Sequence, residues 1–310
     1  MESRMNELSP TPETLDLRAP SPNHKFLDHF TGHGEPAGLW PSRAAALVAY
    51  FGQGTQVGTW EPHAFDLPAD LTWKVLPRDP EEFLACSLAG LQGFYASNPN
   101  PIDGYFLPDE LYASLLRHAL AQPGLRVLSD ESLFAYRHEP MPCGTGSHLF
   151  ASGRVGLICA LEDWDSRRGA VLWGVEPLSP PPAISGLDER SAGALRALQR
   201  RDFQGSLDLL RWTTVAGRAM RAFTEKLRPA IDAGCLSIAH WPRAGHRILV
   251  TGRSPFQGEL FLKRLATEAR VLALPGALAG APDAVILDLA HPVAVAREAG
   301  ERLARLVTGS

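Results

Sequence analysis

The sequence predicts an α/β protein in two parts, a large α/β domain followed by a smaller α+β domain. Three observations lead there. Between Gly93 and Asp130 the chain reads strand, turn cluster, amphipathic helix, strand (GFYAS, SNPNPIDG, PDELYASLLRHALAQPG, LRVLSD), the order that builds a parallel sheet. From Cys235 onward, strands follow one another closely, with one helix among them and one after the last. The 310 residues are 45% apolar and 21% charged, globular values in a chain too long for one simple core.

The elements follow in order. Residues 1–40, rich in Pro, Ser, Gly and His, read as an extended arm. Ser42 precedes RAAALVAYF, a capped helix with one apolar face. Residues 52–80 are punctuated by Gly and Pro and are expected to be irregular. EEFLACSLAG reads as a short helix, and the helix from Pro108 carries its acidic residues in the first turn. HLFASG, VGLICAL and AVLWGVE are apolar strands, the last two separated by the acidic segment EDWDSRR. After LSPPP, two helices fill residues 188–234. The last part contains the strands CLSIAHW, HRILVTG, RVLAL and DAVILDLA, with helices FQGELFLKRLATEA and PVAVAREAGERLARLV. The expected domains are therefore an arm (1–40), a large domain (41–205), and a linker helix with a small domain (206–310).

Thirty basic residues against 34 acidic give a net charge of −4. No basic block marks a nucleic-acid or anionic-membrane surface. No uninterrupted apolar run reaches about 18 residues, and the N-terminus lacks a signal pattern, so a cytoplasmic protein is expected. Cys86, Cys143, Cys159 and Cys235 lie far apart and read as reduced side chains. Only Lys25, Lys74, Lys226 and Lys263 are lysine, so lysine chemistry has four candidates.

SNPNPIDG, RVLSDESLF and the tail from Arg247 to Val307, with RVLALPG and LDLAHP, together resemble the class I/II aminotransferases of the fold-type I pyridoxal-phosphate family. The resemblance covers about residues 80–310. It implies a three-layer α/β/α large domain and a small α+β domain. It places Asn100 near the cofactor's phenolic oxygen and Asp130 at its pyridinium nitrogen, where a carboxylate keeps the ring protonated. The sequence departs from the family at the Schiff-base lysine: the corresponding window is ALEDWDSRRG, and no lysine occurs between Lys74 and Lys226. Leu133 stands where the family usually has tyrosine, and the carboxylate-binding arginine is absent near Ile286. A strand and helix before SNPNP also look missing, which implies a truncated sheet. GQGTQVG reads as a remnant of the phosphate cradle or as an ordinary turn.

Ordinary transamination is therefore not expected, and neither is a cofactor, except for a residual non-covalent pyridoxal phosphate. The leading expectation is a pyridoxal-phosphate-independent lyase, isomerase or cyclase of small-molecule biosynthesis, acting on an amino-acid-derived substrate. Asp130, Glu162, Asp163 and Asp165 are its candidate acid–base groups, because neighbouring carboxylates separate one another's pKa values. Asn100, Trp164, Arg167 and Arg168 are candidate substrate contacts. The alternative for Glu162 to Arg168 is a solvated loop with internal ion pairs. A non-catalytic pseudoenzyme that binds a partner or ligand is the rival function. His29 and His33 in HKFLDHFTGHGE are weak metal candidates at i, i+4 spacing; Cys143 with His148 is a weaker nucleophile pair. His240 and His246 flank a turn expected at the surface or a cleft rim. A homodimer is expected from the resemblance.

Overall fold

The computed structural model describes residues 13–19, 39–65, 67–133, 136–138, 155–164, 168–173 and 207–309, with 189, 191, 193 and 194. Side chains of 207–212 are outside that description. In chain order the strands and helices are β1 (Leu15–Asp16), β2 (Leu39–Trp40), α1 (Arg43–Phe51), β3 (Gln56–Trp60), β4 (Thr72–Leu76), α2 (Pro80–Ala85), β5 (Gly93–Ser97), α3 (Asp109–Ala121), β6 (Arg126–Asp130), β7 (Val155–Ala160), β8 (Ala170–Trp173), α4 (Leu207–Asp232), β9 (Leu236–Ser237), β10 (Arg247–Gly252), α5 (Gly258–Arg264), β11 (Val271–Leu272), β12 (Leu274–Pro275), β13 (Ala284–Asp288) and α6 (Val293–Thr308). The chain divides into two compact units. The larger spans Lys25–Thr213 with Arg243–Gly245, and the smaller holds Met1–His24, Thr214–Pro242 and His246–Ser310.

In the larger unit a seven-stranded sheet runs β2-β8-β7-β6-β5-β3-β4. The five strands from β7 to β4 are parallel, and β8 is antiparallel to both its neighbours. Because side chains alternate along a strand, Phe94 and Val127 enter one core with Trp60, Phe83, Leu111 and Leu115. Their successors Tyr95 and Leu128 enter the other, with Leu47, Phe51, Val57 and Ile158. Helices α2 and α3 thus cover one face of the sheet and α1 the other, giving three layers. Ser42 caps α1, its Oγ accepting from Ala45 N at 3.1 Å. The far end of α1 is tied to the sheet by Tyr50, whose hydroxyl donates to Val127 O at 2.8 Å and accepts from Gly156 N at 3.1 Å. A Cβ at Gly156 would lie 2.6 Å from the Tyr50 ring, so only glycine admits that approach.

Residues 52–80 correct the sequence reading. The interval expected to be irregular and short of a strand carries β3 and β4, paired in parallel from Gln56↔Thr72 to Trp60↔Leu76. Both strands are only five residues long, and neither shows clean alternation. GQGTQVG is the turn between α1 and β3, with Gly52 and Gly54 at positive φ. It opens β3 at the amino edge of the parallel strands, so it is a turn and not a cradle at their carboxyl ends.

The smaller unit has a four-stranded antiparallel sheet, β12-β13-β10-β9, and β1 pairs in parallel with β11. Its core gathers Phe223 and Leu227 of α4, Ile248 and Val250 of β10, Phe261 of α5, Val285 and Leu287 of β13, and Leu303 of α6. The predicted helix FQGELFLKRLATEA ends in a π-helical turn, Leu265–Ala269, closed by Arg270 in the left-handed region. His246, expected at the surface or a cleft rim, is buried against Asp288. No described helix is long and apolar enough to cross a membrane.

Candidate functional site

The parallel strands β5, β6 and β7 end side by side, with Ser97 opposite Asp130 and Asp130 opposite Ile158. In open α/β sheets this carboxyl edge is where ligands bind. Asp130, the last residue of β6, is 1% exposed. Its Oδ1 accepts from Ser132 N at 2.9 Å and from the Ser132 hydroxyl. Its Oδ2 accepts from the Tyr95 hydroxyl on β5 and lies 3.1 Å from Arg43 Nε. A carboxylate offers roughly four lone-pair positions; three hydrogen bonds fill three of them, and the Arg43 cation lies beside the carboxylate.

Arg43 is the residue that sequence reasoning missed. It opens α1, its side chain is 1% exposed, and its guanidinium bridges Asp130 and Asp163. Its backbone N–H donates to Glu162 Oε1 at 2.9 Å. The first N–H groups of a helix lack intrahelical acceptors and favour a negative partner, so Glu162 suits that position. Glu162 and Asp163 belong to the 3₁₀ turn Leu161–Asp163 that leaves β7. Glu162 and Asp163 bond to Arg43, so for these two residues the solvated-loop reading does not hold. The one available signal was an arginine at the first position after a serine cap, where a helix entering a strand-end cluster would project it.

Burial, and then the Asp130 and Asp163 carboxylates against the opposing Arg43 guanidinium, hold the Tyr95 phenol well above its ordinary range. Tyr95 therefore stays protonated and serves as a donor. The Ser132 hydroxyl also accepts from Ala160 N at 2.7 Å, joining the ends of β6 and β7. Trp164 is a second correction to the candidate contacts. It is buried, its Nε1 donates to Ser132 O at 2.7 Å, and its ring stacks on Tyr136 with centroids 5.1 Å apart. These contacts anchor the turn after β7.

The remaining candidates are dispersed. Asn100 donates from Nδ2 to Pro62 O at 2.7 Å and accepts from Ile102 N at 2.8 Å, holding the SNPNP turn together. Arg168 is exposed. Asp165 and Arg167 lie outside the described residues, as do Cys143, His148, His29 and His33. Among the described residues no group of three or more His, Cys, Asp or Glu side chains is placed to hold a metal. Cys86, Cys159 and Cys235 are not joined in disulfides.

No family model and no curated protein matches the sequence. Solved structures do. The chain is similar to an aspartate aminotransferase from Rhodobacter sphaeroides, with TM-score 0.70 and 19% identity over 99% of each chain. It is similar to a tetra mutant of the Thermus thermophilus aspartate aminotransferase, with TM-score 0.71 and 18% identity over 99% of each chain. LysN, the α-aminoadipate aminotransferase of Thermus thermophilus, matches with TM-score 0.72 and 14% identity over 98% of this chain and 94% of its own. The fold is the aminotransferase fold.

These matches correct the expectation that no cofactor is involved. LysN was solved in complex with N-(5′-phosphopyridoxyl)-L-leucine, and the matched aminotransferases point to pyridoxal phosphate instead. As arranged here, however, the residues at the strand ends do not fit that group. The turn after β7 presents Glu162 and Asp163 and no lysine. Asp130 is enclosed by Arg43, Tyr95 and Ser132. The first N–H of α1 is held by Glu162.

Proposed function

We propose that this protein has the architecture of a pyridoxal-phosphate aminotransferase without its covalent chemistry, and that it works by binding a ligand or partner and not by turnover. The observation that carries this reading is the enclosure of Asp130, buried with three hydrogen bonds and a neighbouring cation. A general base must reach the proton it removes, directly or through one water. Here burial and four contacts occupy the carboxylate, so the pseudoenzyme reading is favoured over the acid–base enzyme.

Borohydride reduction in the presence of pyridoxal phosphate, followed by peptide mass mapping, tests this. The expected outcome is no stoichiometric adduct on any lysine; full labelling of Lys226 or Lys263 would overturn it. A homodimer is proposed on the resemblance alone, since aminotransferase-type interfaces are large, commonly above about 2,000 Å². Light scattering at micromolar protein should return twice the chain mass.

A further inference from the structure

We propose that the smaller unit carries an anion site that takes the di- or triphosphate group of a phosphorylated small molecule. This site owes nothing to the strand-end cluster, because all its residues belong to the smaller unit. It is built by the end of α5. There the helix runs into the π-helical turn Leu265–Ala269, which Arg270 closes at φ 54°, a left-handed position usually left to glycine or asparagine. π-helical turns and non-glycine residues held in that region both gather at functional sites. Here they border a cavity of about 490 Å³ that the last turns of α6 also wall, a size that suits a small-molecule ligand. Its lining holds four guanidiniums, Arg264, Arg270, Arg302 and Arg305, against one carboxylate, Glu268. The chain as a whole has a net charge of −4, so this concentration of cations runs against its average.

The four cations are held to different degrees. Arg302 is the fixed member: its Nη1 donates to Glu13 O at 2.8 Å and to Ala269 O and Arg270 O at 3.4 Å, tying α6 to the π turn, and its Nη2 bonds Glu298. Arg264 forks onto Glu268 through Nε and Nη2 at 2.7 and 2.8 Å, with its guanidinium carbon 4.4 Å from the centroid of the Phe256 ring. That sets its plane and leaves Nη1 outside the fork. Arg270 pairs with Glu13, both exposed. Arg305 makes no ion pair among the described residues; its side chain donates only from Nε to Glu301 O, in its own helix, at 3.4 Å. The helix dipole favours a cation in the last turn of α6, but it satisfies neither Nη1 nor Nη2 of Arg305. Exposed ion pairs hold weakly, so Glu13 and Glu268 leave their arginines open to a stronger acceptor. The guanidiniums reach the cavity from two elements, α5 with its π turn and α6. A carboxylate is planar and meets one fork. A phosphoryl group points oxygens in several directions, and two or three linked groups carry the matching charge. Leu306 adds an apolar wall for the uncharged part of the ligand.

Inorganic tripolyphosphate is the probe, titrated by calorimetry into the full chain at about 0.15 M ionic strength, where diffuse surface attraction is largely screened. The wild type is expected to bind it saturably. Arg264→Gln and Arg305→Gln should each weaken binding by about tenfold, the order of one lost charge-assisted hydrogen bond. Arg305 makes only one long side-chain bond, so Arg305→Gln carries the test even where Arg264→Gln fails to fold. Glu268→Gln should tighten binding several-fold, because it releases the Arg264 fork; an ion pair with a purely structural role would give no gain. Arg297→Gln removes a charge from the same helix at a residue outside the cavity lining, and affinity should stay as it is. Citrate, which spreads its charge over planar carboxylates, should bind at least about tenfold more weakly than tripolyphosphate. Absence of saturable binding, no gain from Glu268→Gln, or equal losses from Arg297→Gln and Arg305→Gln overturns the site. Citrate bound as tightly as tripolyphosphate overturns its assignment to phosphates.

Discussion

Asp130 and Asp288 occupy matching places in two unlike sheets. Each is the final residue of a strand and each is 1% exposed. Asp288 is served by its neighbours in the ladder. His246 Nδ1 lies 2.9 Å from Oδ1, Ala290 N donates to the same oxygen at 3.0 Å, and Arg247, opposite Asp288 in the register, places Nε 3.7 Å from Oδ2. Asp130 instead draws its cation from a helix far earlier in the chain and shares it with Asp163. One site surrounds a carboxylate with two basic side chains; the other divides one guanidinium between two carboxylates. Burial alone therefore does not say what a strand-end aspartate is for. The supply of opposite charge does, and in the larger unit Arg43 supplies it to two carboxylates at once.

The largest expected effect follows from that dependence. Arg43→Ala strands two buried carboxylates, and breaking a buried pair typically costs about 3–5 kcal/mol. Urea unfolding should show a loss of that order, with a smaller loss when the change is made in an Asp163→Asn background. Equal losses in both backgrounds would mean that Asp163 and Arg43 are not coupled. Asp288→Asn should cost less, about 1.5–3 kcal/mol, the usual worth of hydrogen bonds to a charged group.

A pH series sharpens the second half of the comparison. Burial pushes Asp288 upward, but His246, its hydrogen bond and Arg247 together outweigh it, so its pKa lies below the ordinary 3.8. A group with a lowered folded pKa binds fewer protons folded than unfolded. Its stabilisation is complete above the unfolded value and disappears as pH falls through the folded one. Wild type and Asp288→Asn should therefore differ in stability near neutral pH and converge in the acid range below about pH 4. Parallel curves down to the lowest pH would remove Asp288 from the acid response. Trp164→Phe, which deletes one buried hydrogen bond and keeps most of the stacking, should cost about 0.5–1.5 kcal/mol. The smallest effect belongs to Glu301→Gln: its pairing with Lys226 joins two exposed side chains, and the melting temperature should not move measurably.

These contrasts also mark how much was legible in the sequence. The run from Gly93 to Asp130 could be read because an amphipathic helix with clear start and stop residues separates two short strands of apolar residues. β3 and β4 could not, since five-residue strands framed by Gly and Pro carry too little alternation to stand out from turns. Asp130 and Asp163 could be nominated by position, and the structure brings them together. Their partner could not, because a sequence shows where charges lie along the chain but not which arginine a fold will bury. Trp164 and Asn100, nominated as ligand contacts, both hydrogen-bond within turns of the chain: a large ring and an amide are as useful to a turn as to a substrate, and a sequence does not separate the two uses.

The span of chain between α1 and the turn after β7 has a consequence in time. Arg43 emerges early in synthesis, Asp130 later and Asp163 later still, 120 positions after Arg43. Contacts so distant along the chain close after local ones. Until β7 joins the sheet, the guanidinium has at most one of its two carboxylates, and α1 has no Glu162 at its first N–H. The face of the sheet that α1 covers is therefore completed only when the last parallel strand arrives, and a nascent chain stopped short of Val155 would hold a positive charge with no finished place to bury it.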